Sequence, residues 1–494
     1  MTEGLRQASP TGGDAVVRQM APDWTRSAVY IGGEWREPIG SATVEVENPA
    51  TEMIIGTAAN AGTADVESAV TAAAGAFSSW SRLPVQARVE AIEQVYAGLV
   101  QRRDALVATT VAELGAPVTV AREAHIDTGL AVLRGYLDAA LEIPWREQIG
   151  NSLVLREGIG VAGCITPWNY PFYQVIAKIG GALLAGATVI LKPAELAPLT
   201  AYLLTDTIAQ SGLPAGVFNL VPGPGRVVGE ALVVHPRVDA VSFTGSTAVG
   251  ARVSAQASAT IKRVSLELGG KSASIVLPGA DLGVAVRATV EAAMLNSGQT
   301  CTAWTRLLVP RADLEAALEI AGRRASDLLV GDPTHPDTQV GPVASAAQRH
   351  TVLGFIERAA AAGARIVAGG TRRPAGLDTG HYVLPTVITD VGQHAEIVQE
   401  EVFGPVLTVQ GYATVDDAVE LANGTAYGLA GATWGPDRDS AIEVATRMRT
   451  GQVDINGGQF NPGAPFGGYG RSGNGRELGR WGIEEFLETK SLQL

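Results

Sequence analysis

Between residues 161 and 247, short apolar runs alternate with helix-patterned segments, and this alternation limits the possible fold more than any other feature. Residues 161–165, 187–192 (ATVILK), 217–221 and 240–244 (AVSFT) read as strands, and 171–185, 198–211 and 227–234 as helices. Strands that are apolar throughout, each followed by a helix, imply βαβ units and a parallel sheet covered on both faces. Ligands of such sheets sit beyond the carboxyl ends of the strands. Here those ends carry 166–169, 192–195, 223–229 and 245–246.

The second half repeats the scheme, with strands expected at 274–277 and 305–309 and helices at 282–296 and 314–329. Thr414 with Asp417 is a capping pair for a helix through Asn423. Towards the N-terminus, 30–35 (YIGGEW) reads as a hairpin. From 64 to 106 the spacing is helical, with a restart at Pro84, and residues 1–25 look like a loosely ordered tail. At 494 residues the chain has room for two or three domains of roughly 150 residues each. The expectation is therefore two α/β lobes.

Composition removes several classes. A net charge of −13 opposes nonspecific nucleic-acid binding, which needs clustered Lys and Arg. The most apolar stretch, 176–191, contains Lys178 and several glycines and is too short to span a bilayer, so no membrane partner is expected. No secretory leader is visible at the N-terminus, and two cysteines make no disulfide framework, which fits a reducing cytoplasm.

Each cysteine must then be explained singly. Cys164 lies in an apolar run and reads as core packing. Cys301 lies in the polar, Gly-containing segment NSGQTCT, an unusual place for a structural cysteine. As a nucleophile it would need an electropositive or hydrogen-bonding setting to lower its pKa. Glu267, flanked by leucines and followed by Gly269 and Gly270, is either a partly buried general base or a salt-bridged strand end. Asn169 in PWNYPF is either a helix N-cap or an amide aimed at an oxyanion.

Two strand-to-helix turns have the form of phosphate sites. One is GPGRVVG, with Gly225 and Gly229; the other is FTGST, where Ser246 can donate to a phosphate. Lys192 and Glu195 in KPAE can hold ribose hydroxyls or form a solvated pair.

Taken together, the pieces TPWNYP, KPAE, FTGST, LELGGK, GQTC, EEVFGP and PFGGY, in this order, resemble the aldehyde dehydrogenase superfamily from about residue 28 to the end. The resemblance implies two doubly wound α/β lobes, a Rossmann-like cofactor domain (1–128 and 151–267) and a catalytic domain (268–466), plus a small β oligomerisation element (129–150 and 478–494). It implies an oxidoreductase in which Cys301 attacks an aldehyde, Asn169 and the Cys301 N–H hold the oxyanion, and hydride passes to the cofactor. Glu267-activated water then hydrolyses the thioester.

It also assigns the cofactor site. Lys192 and Glu195 would bind the adenine ribose, Ser246 a phosphate, and Glu401 the nicotinamide ribose with Phe403 beside it. Ile165, Thr166, Pro167, Trp168, Gly225, Gly229, Phe243, Thr244, Gly245, Leu268 and Gly269 would complete it. Glu195 would repel a 2′-phosphate, so NAD is expected over NADP. Tyr170, Tyr173, Ala177, Trp304, Phe460 and Phe466 would line the tunnel for a small-molecule aldehyde, apolar or aromatic given so many rings and no cation. The assembly implied is a homodimer or homotetramer, and no metal is called for.

The chain departs from the family pattern at Ala194, often Ser, and at Gly470, often Lys, which puts local support of the site in question. Three alternatives compete. One is a CoA-acylating semialdehyde dehydrogenase, which Glu267 opposes. Another is a non-catalytic NAD-binding protein of the same fold, opposed by the joint presence of Cys301, Glu267 and Asn169. The third, a cofactor-free cysteine hydrolase, leaves both phosphate-type turns unexplained.

Overall fold

A computed structural model of the chain describes residues 24–40 and 42–494, so nearly all of the expected N-terminal tail lies outside the described residues. The apolar runs of the 161–247 region form strands buried along their whole length, Val161–Ile165, Thr188–Lys192 and Ala240–Thr244 among them. Burial on both faces is what their unbroken apolar pattern requires.

These strands build an eight-stranded sheet. Its spatial order is Gly473–Asn474, Arg263–Glu267, Ala240–Thr244, Val161–Ile165, Thr188–Lys192, Phe218–Leu220, Val29–Ile31 and Glu34–Arg36. The five central strands are parallel. The chain runs outward from Val161–Ile165 through Phe218–Leu220, then returns to place Ala240–Thr244 on the other side of the first strand. That reversal makes the carboxyl ends of Val161–Ile165 and Ala240–Thr244 the switch point, where a crevice opens. The expected hairpin supplies the outer edge, with Tyr30 opposite Trp35.

The second lobe holds a seven-stranded sheet in the order Arg365–Ala368, Thr386–Thr389, Val406–Tyr412, Arg306–Pro310, Ala273–Val276, Gly431–Trp434 and Asp454–Ile455. All but the first are parallel to their neighbours. The Thr414–Asp417 pair forms a reciprocal capping box on the Val415–Asn423 helix. A third, three-stranded antiparallel sheet joins Arg146–Ile149, Ser152–Gly158 and Leu487–Gln493. Its outer strands are almost wholly exposed.

Two local readings change. Pro84 is the N-cap of the Val85–Gln101 helix and not its first residue. The expected 227–234 helix is two pieces, a π-wound turn Gly225–Gly229 and a short helix Glu230–Val234. Interrupted winding of this kind is rare and recurs at functional sites.

Candidate active site

Cys301 follows a chain reversal that few sequences permit. Asn296, Ser297 and Gly298 have φ of 53°, 58° and 72° in succession. A side chain at Gly298 would place Cβ 2.1 Å from the Gly404 carbonyl carbon, so only glycine fits there. Side chains then tie the loop down. Gln299 accepts from the Ala344 N–H at 2.8 Å and donates to the Asn296 carbonyl, and the Ser297 hydroxyl donates to the Gly341 carbonyl.

Asn169 reaches this loop from the other lobe. Its Nδ2 donates to the Gln299 carbonyl at 3.0 Å, while Asn296 Nδ2 donates back to the Asn169 carbonyl at 2.8 Å. The N-cap of the Pro171–Ala185 helix is Tyr170, without a side-chain cap bond, so the capping role open to Asn169 is not used. Its amide faces the nucleophile loop instead.

Two cavities meet at Cys301. One, of about 280 Å³, lies at the switch point and is lined by Pro167, Trp168, Asn169, Thr244, Gly245, Ser246, Leu268, Gly269, Glu401 and Phe403. Gln348 and Thr351 also line it and were not anticipated; Gln348 Nε2 donates to the Phe403 carbonyl at 2.7 Å. Ser246 caps the Thr247–Ala257 helix, whose N-terminus therefore opens on this cleft. Ile165, Thr166 and Phe243 are buried at the strand ends behind it.

Further along the same edge, Glu195 accepts from the N–H of Gly225 at 3.0 Å, linking two predicted cofactor segments. Gly229 ends the π-wound turn close behind. Lys192 donates to the Pro193 carbonyl and is buried, which draws its pKa down to about 8.

The second cavity, of about 250 Å³, is a tunnel lined by Tyr170, Tyr173, Trp304, Phe460 and Phe466. Tyr170, Tyr173, Phe460 and Phe466 follow one another as edge-on ring pairs. Ala177 does not join them: it is buried in the core and its carbonyl accepts from the Tyr136 hydroxyl at 2.5 Å. Helical spacing puts 177 on the same face as 173 and 174, but it lies a turn further into the molecule with only a methyl group, and the cavity lining ends at Gln174. Gln174, Gln452 and Asp454 add polar groups that sequence reasoning missed. Nothing in the QVDIN stretch distinguishes Asp454 from a surface turn.

Glu267 ends the Arg263–Glu267 strand and is buried, and neither carboxylate oxygen has a hydrogen-bond partner among the described residues. Burial, then the nearby Glu477 carboxylate, push its pKa well above the ordinary range; Lys178 and Arg476 pull the other way. Lys178 is itself paired with Glu477 at 2.6 Å. Gly467 makes room for Glu267, since a Cβ there would lie 2.6 Å from Oε1. The carboxylate lines neither cavity.

Glu401 nests against backbone, Oε1 accepting from the Gly270 N–H at 3.0 Å, and burial lifts its pKa to about 7. The Cys301 thiol lies opposite to the expectation for an activated cysteine. Burial raises its pKa, with Glu401 and Glu267 adding to the effect, while backbone N–H groups of Thr302 and Cys301 lower it. Cys164 is a core thiol, buried in the sheet. Gly470 has φ of 58°, a backbone state that glycine takes without strain and lysine does not. Among the described residues no cluster could hold a metal ion, and no helix is long and apolar enough to cross a membrane.

The sequence model of the aldehyde dehydrogenase family matches residues 35–492. The chain is 44% identical over 471 residues to a 3-succinoylsemialdehyde-pyridine dehydrogenase of a Pseudomonas species, covering 94% of this chain and 97% of that one. Among solved structures it resembles aldehyde dehydrogenase C of Pseudomonas syringae, a cysteine-to-alanine mutant complexed with NAD+ and octanal. That likeness has a TM-score of 0.94 at 42% identity, over 95% of this chain and 97% of the other. A Mycobacterium tuberculosis aldehyde dehydrogenase complexed with NAD+ follows, with a TM-score of 0.93 at 41% identity over 95% and 98% of the two chains. Fold, site geometry and these likenesses agree, and the chain belongs to the aldehyde dehydrogenase family of oxidoreductases.

Proposed function

We propose that the protein oxidises an apolar or aromatic aldehyde to its carboxylic acid with NAD, through a covalent intermediate on Cys301. The observation that carries the reading is that Cys301 is shared by two cavities of different character. The ring-lined tunnel suits a hydrophobic aldehyde. The switch-point cleft offers a helix N-terminus at Ser246 for phosphate, the half-buried carboxylate of Glu401 and, further along, the exposed carboxylate of Glu195 for ribose hydroxyls. These residues fit a dinucleotide, which when bound supplies a hydride acceptor.

The chain's own groups do the rest. Cys301 Sγ attacks the aldehyde carbon, and the negative charge moves to the former carbonyl oxygen. Asn169 Nδ2 and the Cys301 N–H, both fixed by the tied loop, stabilise that oxygen. Loss of hydride leaves a thioester. Glu267, whose pKa is held above its ordinary range by burial, turns towards Cys301 and takes a proton from the attacking water. The acid leaves and the thiol is restored.

The relatives support the substrate and cofactor, since one was crystallised with NAD+ and octanal and another is named for a pyridine-bearing semialdehyde. The test is NADH formation from a panel of aldehydes with NAD and NADP in parallel, for wild type and Cys301→Ala. Turnover of octanal with NAD, abolished in the variant, is expected. Binding of NAD without oxidation of any aldehyde would leave a binding protein.

A further inference from the structure

The tunnel has a charge as well as a shape. Asp454, on the short Asp454–Ile455 strand at the edge of the catalytic sheet, lines the same cavity as Cys301 and the aromatic rings. Among the described residues it is the one carboxylate that lines the cavity, and no Lys, Arg or His does. Its Oδ1 accepts from Gln452 Nε2 at 3.0 Å, which orients the carboxylate.

Two hydroxyls of the lining are already engaged. The Thr128 hydroxyl donates to the Glu123 carbonyl, and Thr300 to the Leu295 carbonyl. A second carboxylate entering this space would lose its water and, among the described residues, find only neutral donors and no cation to compensate its charge. In a cavity of about 250 Å³ it would also sit close to Asp454. That separation is within the ~10 Å over which salt leaves charges unscreened, and the surroundings are of low dielectric. A cationic tail meets the reverse situation.

The geometry points to Asp454 as a charge filter for the aldehyde. It rejects aldehydes bearing a carboxylate and admits those with neutral or cationic tails. This rests on the proposed aldehyde oxidation at Cys301. It adds a discrimination that ring packing alone does not supply, because ring faces can attract a cation but carry no charge to repel a second carboxylate, as a fixed carboxylate does.

The experiment compares kcat/KM for three aldehydes of similar reach, pentanal, 4-oxobutanoate and 4-trimethylammoniobutanal, in wild type and Asp454→Asn. The variant keeps the size of the side chain at a half-exposed position. The readout is the ratio of 4-oxobutanoate to pentanal, which cancels any general loss of activity. That ratio should rise at least about tenfold in Asp454→Asn, a change of about 1.4 kcal/mol, while the ratio for the cationic aldehyde falls. In wild type, raising the ionic strength should move both ratios the same way by smaller amounts.

Ratios that do not change in the variant would overturn the inference, as would a wild type that handles 4-oxobutanoate as well as pentanal. The salt series in wild type gives the answer even if Asp454→Asn does not fold. If neither pentanal nor the other aldehydes yield NADH, the proposed oxidation itself fails and the filter falls with it. Oxidation of pentanal with unchanged ratios removes the filter alone.

Discussion

Asn169 Nδ2 and the carbonyl oxygen of Gln299 are 3.0 Å apart, so the amide of one lobe is bonded two residues before the cysteine of the other. Asn296 returns the contact to the Asn169 carbonyl. This reciprocal pair fixes the Asn169 amide against the Cys301 loop, the two being carried on separate lobes. Asn169→Ala should lower kcat by about 10²–10³-fold, the usual cost of removing an oxyanion donor. NAD affinity, followed by protein fluorescence, should change little. A loss confined to KM would contradict the oxyanion role.

Glu267→Gln should separate the two halves of the reaction. The first turnover, seen as a burst of NADH in stopped flow, should persist, and the steady state should slow by about 10²–10⁴-fold. Coenzyme A added to wild type should not accelerate thioester breakdown. A strict requirement for it would favour acyl transfer over hydrolysis.

The thiol of the cofactor-free enzyme should be slow to alkylate. Burial together with Glu401 and Glu267 raises its pKa, so the thiolate fraction at neutral pH is small and grows as pH rises. The rate of iodoacetamide incorporation at Cys301 should therefore climb through the ordinary thiol range, about pH 8.5, without levelling off there. Glu401→Gln removes a negative charge beside the sulfur and should speed alkylation several-fold at pH 8. A plateau below pH 8 would show an activated thiolate already present.

Gly269 and Glu401 cannot both keep their places once a methyl group is added. A Cβ at 269 would lie 2.0 Å from Glu401 Oε2. Gly269→Ala should displace that carboxylate and raise the Kd for NAD by about tenfold or more, the loss of roughly one good hydrogen bond to a charged group. Calorimetric titration measures it, with circular dichroism confirming the fold.

Much of this architecture is legible in the sequence because fully buried parallel strands leave unbroken apolar runs. Thr188–Lys192 and Ala240–Thr244 are plain on inspection, and their carboxyl ends mark the crevice. Cys301 stands out because its polar loop conflicts with the usual burial of cysteine. What escapes notice depends on rotation and on distant partners. Ala177 lies on the same helix face as Tyr173 but a turn deeper, where it is buried and its carbonyl accepts from Tyr136. Glu267 reads as a base but lies buried outside both cavities, and the π-wound Gly225–Gly229 turn looks like ordinary helix. Asp454 acquires meaning only when the fold brings it to a tunnel with no cation.

The central claim is that the aldehyde becomes covalently attached to Cys301, and intact-protein mass spectrometry tests it most directly. Glu267→Gln mixed with NAD and octanal, quenched in acid within a turnover, should gain the mass of one octanoyl group. Peptide mapping should place that group on the peptide containing Cys301. An unmodified protein despite NADH release, or an acyl group on any other residue, would contradict the account.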